Sequence, residues 1–326
     1  MSKWPLDDED IERILPLIAT RVTERAAMAA AGLRGRGDEM AADLAAAEAM
    51  RTELRRLPIH GRVVIGEDEH ADALFVGEEI GAGGGPLLDL AVAPLEGATL
   101  CAKGMPGAMS ILAIARAGSL LNVPDVYMDK IAIGPGYPAG IVDLDRSPAE
   151  NVAALAQAKN VRLREIVVCI LDRPRHAELI AQCRAAGASV RLISDGDVAG
   201  VIFAAQTART GVDVFLGRGG APEGVLAAAA LRCVGGEMQG RLVRDAQGKL
   251  AKAAQQGRVD PLKKYARDEM ARGEAIFCAT GVTDGPLLAG VGFEATKVIT
   301  ETVVFNSFTN AIRKIRGERR ADANRE

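Results

Sequence analysis

Apolar residues at Ile18, Val22 and Ala26 recur at helical spacing between Pro16 and about Ala31, with Pro16 in the first turn, where its missing N–H costs nothing. The segment GLRGRGDEM (32–40) breaks that helix, and a second amphipathic helix is expected from about Ala41 to Leu57, carrying Leu44, Ala47 and Leu54 on one face. Short apolar runs then read as strands: GRVVIGE (61–67), LFVGEEIG (74–81) and LLDLAVAP (87–94). A small-residue helix is expected over about 107–117, and a strand at VYMDKIAIGP (126–135). After Pro148 the pattern alternates. Helices at 148–159, 176–187, 197–208 and 223–233 are interleaved with strands at 165–171, 189–193 and 212–217. That alternation predicts parallel strands with crossover helices, an α/β arrangement, with a soft boundary near 140–163. The polar stretch 241–273 reads as exposed helix, 275–281 and 297–305 as returning strands, and the charged tail from Arg313 as frayed. No internal repeat is visible.

Composition narrows the chemistry. The chain has 326 residues, 48% of them hydrophobic, enough for a sizeable core in one large or two smaller domains. Aromatics make up only 3%, and Lys plus Arg (40) nearly balance Asp plus Glu (43). Base stacking and non-specific nucleic-acid binding are therefore not expected. The N-terminal MSKWPLDDEDIER is acidic and does not read as a secretory signal, and no run reaches the roughly 18 apolar residues of a membrane span. Five widely spaced cysteines (Cys101, Cys169, Cys183, Cys233, Cys278) form no CxxC pair and read as small buried hydrophobes in a reducing cytoplasm. With only three histidines, any metal would be held by carboxylate oxygen, which points to Mg²⁺ or Mn²⁺.

Four acids stand where strands or turns end beside glycine: Asp38 after GRG, Glu67 after VVIG, Glu96 before Gly97, and Glu223 in GRGGAPEG. Carboxylates converging on a crevice repel one another unless cations neutralise them. Each acid alone also reads as an ordinary surface residue at a turn. Tyr127 alone reads as a core tyrosine, Arg173 and Arg175 as solvated charges, and Asp195 as a cap of the helix starting near Asp197. GRGGAPEG faintly suggests a dinucleotide loop, but Pro222 and Glu223 break that spacing.

The segments GRGDEMAAD (35–43), VVIGE (63–67), PLEG (94–97), NVPDVYMDK (122–130), RPRH (173–176), DGDVA (195–199), GGAPEGV (219–225), GEMQGRL (236–242) and ATGVT (279–283) follow one another in this order. Together they resemble the class II fructose-1,6-bisphosphatases of the lithium-sensitive sugar and inositol phosphatase superfamily, over about residues 17–315. The resemblance implies a layered α-β-α-β-α sugar-phosphatase fold. An N-terminal metal-site domain (1–162) would be followed by a C-terminal parallel α/β domain (163–326) that completes the substrate site, with the last strands returning to the first domain. It implies metal ligands at Asp38, Glu67, Glu96 and Glu223. Contacts to the sugar phosphate are implied from Glu96, Gly97, Tyr127, Arg173, Pro174, Arg175, Asp195, Gly196, Asp197 and Gly220. The implied reaction is metal-dependent hydrolysis of fructose 1,6-bisphosphate to fructose 6-phosphate and phosphate. It serves gluconeogenesis or the Calvin cycle, where sedoheptulose 1,7-bisphosphate is a further substrate. A cytoplasmic homodimer or homotetramer is implied, with neither nucleic acid nor membrane as partner.

The chain departs from the family pattern at two places. Where the family carries D-P-[I/L]-E-G-T, this chain reads Ala93-Pro94-Leu95-Glu96-Gly97-Ala98, so a metal-ligating carboxylate and a hydroxyl that polarises water are both methyl groups. The loop 68–74 is also shorter, and the family's catalytic aspartate falls at Ala71 or Asp72. Thr99, one residue late, Asp72 and Asp68 are the candidates to compensate. Asp89 shares the strand face with Ala93 but lies about 13 Å away at strand rise. Loss of general-base assistance costs about 10²–10⁴ in rate. A catalytically impaired homologue that binds sugar phosphates as a sensor or partner subunit is therefore the alternative, with a shifted sugar or inositol phosphate substrate as a third reading.

Overall fold

A computed structural model of the protein describes residues 12–67 and 71–320. Helices α1 (Leu15–Ala31) and α2 (Glu39–Leu54) come first. Strands β1 (His60–Ile65), β2 (Glu79–Ile80) and β3 (Leu87–Glu96) lead into the short helix α3 (Ala98–Ala102), then β4 (Met109–Arg116) and β5 (Tyr127–Ile133). An alternating stretch follows: α4 (Pro148–Lys159), β6 (Val167–Leu171), α5 (Ala177–Ala185), β7 (Ser189–Ile193), α6 (Asp197–Ala205), α7 (Thr207–Thr210), β8 (Val214–Gly220) and α8 (Ala221–Val234). Then come β9 (Glu237–Leu242), α9 (Lys249–Gln255), β10 (Lys264–Ala266), α10 (Arg267–Met270), β11 (Ala275–Gly281), β12 (Gly292–Phe293), β13 (Lys297–Asn306) and β14 (Ala311–Arg320). The chain forms two compact units, one from the segments up to Gly118 and from Glu274 onward, the other from Ser119 to Gly273.

The first unit is built on a sheet of order β12-β13-β11-β4-β3-β1-β2, with β14 paired to β13. Only β1 and β3 run parallel. Helices α1 and α2 cover one face. Ala19, Val22 and Ala26 from α1 and Ala42, Ala46 and Met50 from α2 are buried in one cluster with Leu88, Leu90, Leu112, Ile276 and Cys278 of the sheet. Alanine at these positions lets the two helices approach closely, so tight packing makes up for the lack of large side chains. Asp38 caps α2, its carboxylate accepting the Ala41 N–H at 2.9 Å.

The second unit carries the sheet β10-β9-β5-β8-β6-β7. Its parallel pairs are β6–β7 and β6–β8, while β5 lies antiparallel between β8 and β9, so the sheet is mixed. Val152 and Leu155 of α4 and Ile180 and Cys183 of α5 are buried with Ile131, Ile133, Val168 and Ile170 of the sheet. Helices α6 and α8 pack on each other and on β5 and β8. Helix α4 begins at a reciprocal cap. Ser147 Oγ accepts the Glu150 N–H, Glu150 Oε2 accepts the Ser147 N–H at 2.8 Å, and Pro148 takes the first turn.

The fold class is the one the sequence implies, mixed α/β with helices layered on sheets, but several elements differ. The expected helix at 107–117 is strand β4. Its residues from Met109 to Ala115 are all buried, so it reads as a continuous apolar run in which alanine suggests helix. The segment 74–81 is mostly turns, with only Glu79–Ile80 extended. The stretch 241–273 is not mainly helix. It holds the end of β9, where Met238, Gly240 and Leu242 alternate inward, together with β10 and two short helices. The tail expected to fray instead forms β14, paired with β13 from Ala311 to Arg320. Its arginines and lysine suit an edge strand, where charge discourages pairing with other chains.

Candidate functional site

In the first unit, three of the sequence-selected acids stand at the ends of elements that meet. Strand β3 loses register with β4 between Ala93 and Glu96, at Pro94, which has no N–H to give. Gly97 then takes φ 82°, a left-handed turn that a residue with a Cβ resists, and α3 starts at Ala98. This turn swings Glu96 inward, where it is 8% exposed. The glycine-rich loop before α2 docks on α3: the Gly35 N–H bonds to the Cys101 carbonyl and the Gly37 N–H to the Ala102 carbonyl, each at 2.9 Å. Asp38 is thereby carried to the segment that begins with Glu96-Gly97. Thr99 Oγ1 donates to Glu39 Oε2 at 2.9 Å, which ties the two segments together by side chains as well.

Glu67 sits just past β1, where its N–H bonds to the Leu74 carbonyl at 2.9 Å and it bridges to Phe75. Two residues beyond the paired positions Ile65 and Ala91, the parallel strands reach Glu67 and Ala93. Glu67 and Glu96 therefore end neighbouring parallel strands on the same side, the place where α/β sheets present ligand-binding groups. The side chain between them is a methyl group. Asp89 does not fill the gap, because β3 pairs with β4 without interruption from Leu88 to Ala93 and keeps the two residues four apart. Asp72 is exposed in the bend 71–74, and Asp68 lies outside the described residues. Among the described residues no group of three or more His, Cys, Asp or Glu side chains is assembled to hold a metal ion.

The second unit gathers its sequence-selected residues more completely. Antiparallel pairing sets Tyr127 opposite Gly220. Tyr127 is 51% exposed rather than a core tyrosine, and the Arg175 guanidinium lies 4.9 Å from its ring centre. Arg175 Nε and Nη2 both donate to the Arg218 carbonyl, at 3.1 and 2.9 Å, and Arg218 in turn grips Asp129 with two bonds of 2.7 and 3.0 Å. The bond to Asp129 raises the pKa of Arg218. Buried His176 fixes this layer. Its Nδ1–H donates to the Leu171 carbonyl and its Nε2 accepts the Arg218 N–H, each at 2.8 Å. Burial, and then the nearby Arg175 and Arg218 charges, hold its pKa below 6.5, so the ring is neutral. Arg173 approaches Asp195 at 3.6 Å, and Asp195 Oδ1 accepts the Gly196 N–H at 3.0 Å instead of capping α6.

Beneath this surface lies a charged group the sequence reading missed. Lys130 of β5 is 1% exposed, and its ammonium donates to Asp197 and, at 2.6 Å, to the Gly220 carbonyl. Asp197 is 6% exposed, and Glu223 stands half-buried in the first turn of α8. Burial first, then the Asp197 carboxylate, push Glu223 up to about 7 against the opposing charge of Lys130. A lysine just before the apolar run Ile131–Ile133 in the strand Tyr127–Ile133 was the available signal, since such a charge is rarely buried without a partner.

Comparison with known proteins follows the same residues. The family described as bacterial fructose-1,6-bisphosphatase, glpX-encoded, matches residues 13–319. Relatives named D-fructose 1,6-bisphosphatase class 2/sedoheptulose 1,7-bisphosphatase align over nearly their whole length. One from Synechococcus sp. (strain RCC307) is 43% identical over 319 residues, covering 93% of this chain and 95% of the relative. Another from Parasynechococcus marenigrum (strain WH8102) is 42% identical over 324 residues, covering 94% and 95%. A third, from Synechococcus sp. (strain JA-3-3Ab), is 41% identical over 326 residues, covering 92% and 93%.

Proposed function

The chain belongs to the family of bacterial, glpX-encoded fructose-1,6-bisphosphatases, and we propose that it is a phosphoric monoester hydrolase. It converts fructose 1,6-bisphosphate and water to fructose 6-phosphate and phosphate, and also accepts sedoheptulose 1,7-bisphosphate, which the names of its relatives support. The observation that carries this reading is the family match across residues 13–319, with Arg173, Arg175 and Tyr127 beside the Gly219–Gly220 end of β8. Arg175 is already oriented by the Arg218 carbonyl and presents a planar, forked donor suited to phosphate oxygens. Gly220, at the N-terminus of α8, offers backbone N–H and the positive end of a helix dipole to an anion. Asp195 and Asp197 accept from sugar hydroxyls, while Arg173, Pro174 and Gly196 line the same contact, and Glu96 with Gly97 meets the phosphate to be removed.

The family's metal requirement is assigned to Mn²⁺ or Mg²⁺, with Asp38 and Glu67 as ligands of one ion and Glu96 and Glu223 as ligands of another. The donor set fits such an ion in kind, because all four donors are carboxylates. Glu223 in particular is a poorly stabilised anion, pushed up to about 7 by burial and by Asp197, which a cation would relieve. When bound, the ion supplies charge neutralisation and lowers the pKa of attacking water. Ala93 leaves the set one carboxylate short, so affinity and turnover are both reduced. Thr99 Oγ1, held by Glu39, is the nearest hydroxyl in sequence to the one Ala98 lacks, and Asp72 is the remaining candidate base. The protein works as a cytoplasmic homodimer or homotetramer; its five buried cysteines, none in a disulfide, suit a reducing compartment.

The two alanines favour a second reading, a binding protein that retains the sugar-phosphate face and has lost the chemistry. Phosphate release from fructose 1,6-bisphosphate at saturating Mn²⁺, read beside calorimetric binding of fructose 6-phosphate, separates the two. Slow but protein-dependent release supports the hydrolase, and binding without release supports the second reading. Neither release nor binding overturns both.

A further inference from the structure

Within the second unit, we infer that Lys130 is a positioning residue for sugar-phosphate binding, tying the first turns of α6 and α8 and the end of β8 into one rigid platform. The inference rests on the phosphatase reading of that face. Burying an ammonium costs several kcal/mol unless it is paired and hydrogen-bonded. Lys130 is both: it donates to Asp197, the first residue of α6, and to the carbonyl of Gly220, the residue that caps α8. A single cation, 67 residues from Asp197 and 90 from Gly220 in sequence, thus fixes the starts of two helices.

The backbone above it leaves no slack. A Cβ built on Gly219 would collide with Asp197 Oδ2 and stand 3.2 Å from the Lys130 ammonium, and one on Gly220 would collide with Glu223 Oε2. The end of β8 therefore rests directly on the two carboxylates and the ammonium. Moving Lys130 moves the Gly220 peptide and the Asp197 carboxylate together. Asp197 and Gly220 are two of the groups given to the sugar phosphate, and Tyr127 lies opposite Gly220 on the strand that carries Lys130. The charges also balance usefully. With Lys130 present, the Asp197 and Glu223 carboxylates face one internal cation; without it their mutual repulsion would be uncompensated.

The test uses the full chain and fructose 6-phosphate as the calorimetric probe. Lys130→Met is expected to raise the dissociation constant about tenfold or more, as charge-assisted contacts lose their geometry, and to raise KM more than it lowers kcat. Lys130→Arg should recover part of the affinity. Gly219→Ala keeps the charge but pushes Asp197 off the ammonium, and should weaken binding by a similar factor. Lys159→Met is the control. Lys159 pairs at 2.5 Å with Asp213, just before the opposite end of β8, so its loss should lower the melting temperature and leave binding unchanged. Folded Lys130→Met or Gly219→Ala protein that binds like wild type overturns the inference, as does a rise in dissociation constant equalled by Lys159→Met. Wild-type protein that neither binds fructose 6-phosphate nor releases phosphate overturns the phosphatase reading, and this inference with it.

Discussion

Ala93→Asp restores a carboxylate at the one position where the first unit's acids are interrupted. The side chain would enter a half-exposed place, and β3 pairs normally with β4 up to Ala93, so the backbone need not move. Glu67 stands just past β1, two residues beyond the Ile65–Ala91 pair as Ala93 is on β3, and strands one spacing apart lie about 4.8 Å from each other. Two unit charges about 5 Å apart repel by about 3 kcal/mol at an effective dielectric of 20. Both positions are half-buried rather than buried, and screening by solvent reduces that to about 1 kcal/mol. Without a divalent cation the variant should therefore melt about 2–4 °C below wild type.

Mn²⁺ should reverse the order. A cation at a hundredfold excess over its dissociation constant stabilises the folded state by about 2.7 kcal/mol, or roughly 5–10 °C for a chain of this kind. The wild type, one ligand short, should gain much less at the same concentration. Phosphate release from fructose 1,6-bisphosphate should rise at least about tenfold in the variant, since a well-held metal contributes several kcal/mol to the transition state. Differential scanning fluorimetry with and without Mn²⁺, run beside the phosphate assay, reads both effects. An Ala93→Asp protein with no extra Mn²⁺-dependent stabilisation and no faster release would refute the reasoning that the missing carboxylate limits this site.

Other consequences can be measured independently. Because His176 is held neutral with a pKa below 6.5, its contribution to stability is fully present above that value and is lost as pH falls through its folded pKa. Urea midpoints between pH 7.5 and 5.5 should show this loss, and His176→Asn should flatten it. Arg175→Ala removes a forked donor from the phosphate face and should raise KM for the bisphosphate about tenfold to a hundredfold, with a smaller change in kcat. Thr99→Val breaks the bond to Glu39 and should lower residual phosphate release about tenfold or more, while Thr99→Ser retains it. Equal rates in the two Thr99 variants would remove that hydroxyl from consideration.

Much of this was legible from residue types at spaced intervals. The helix α1, the strand–turn reading of Leu87–Glu96 and the alternation after Pro148 follow from periodicity and from proline and glycine punctuation. What failed did so for identifiable reasons. Strand β4 is buried along nearly its whole length, so period two vanishes and its alanines point to helix. Strand β14 is a charged edge, and a run of arginines reads as solvated tail until a partner strand is known. In the site, single residues such as Tyr127 and Arg175 were found by motif. Their arrangement was not, because it depends on pairing between β5 and β8, whose residues are about ninety positions apart in sequence. Lys130 escaped notice for the opposite reason. It closes the segment NVPDVYMDK (122–130), where nothing marks it off from a surface charge, and it is conspicuous only once burial is known.

Binding and chemistry make different demands on an enzyme, and the proposed site residues divide between them. Groups that hold substrate and transition state equally set KM, while groups engaged only as charge develops set kcat. Under the proposed hydrolase function, Arg173, Arg175, Tyr127 and the Lys130–Asp197 platform in the second unit would be of the first sort, with Arg175 set over Tyr127 and on the Arg218 carbonyl and Lys130 on the Gly220 carbonyl. The Glu67, Ala93, Glu96 and Ala98 positions in the first unit would be of the second sort, and two of the four carry a methyl group. Substitutions in the second unit should therefore appear mainly in KM, and restorations in the first mainly in kcat. A kcat that stayed fixed in the Ala93→Asp variant, beside a KM that moved, would mean that catalytic charge is handled by other residues and that binding and chemistry are not divided between the units in this way.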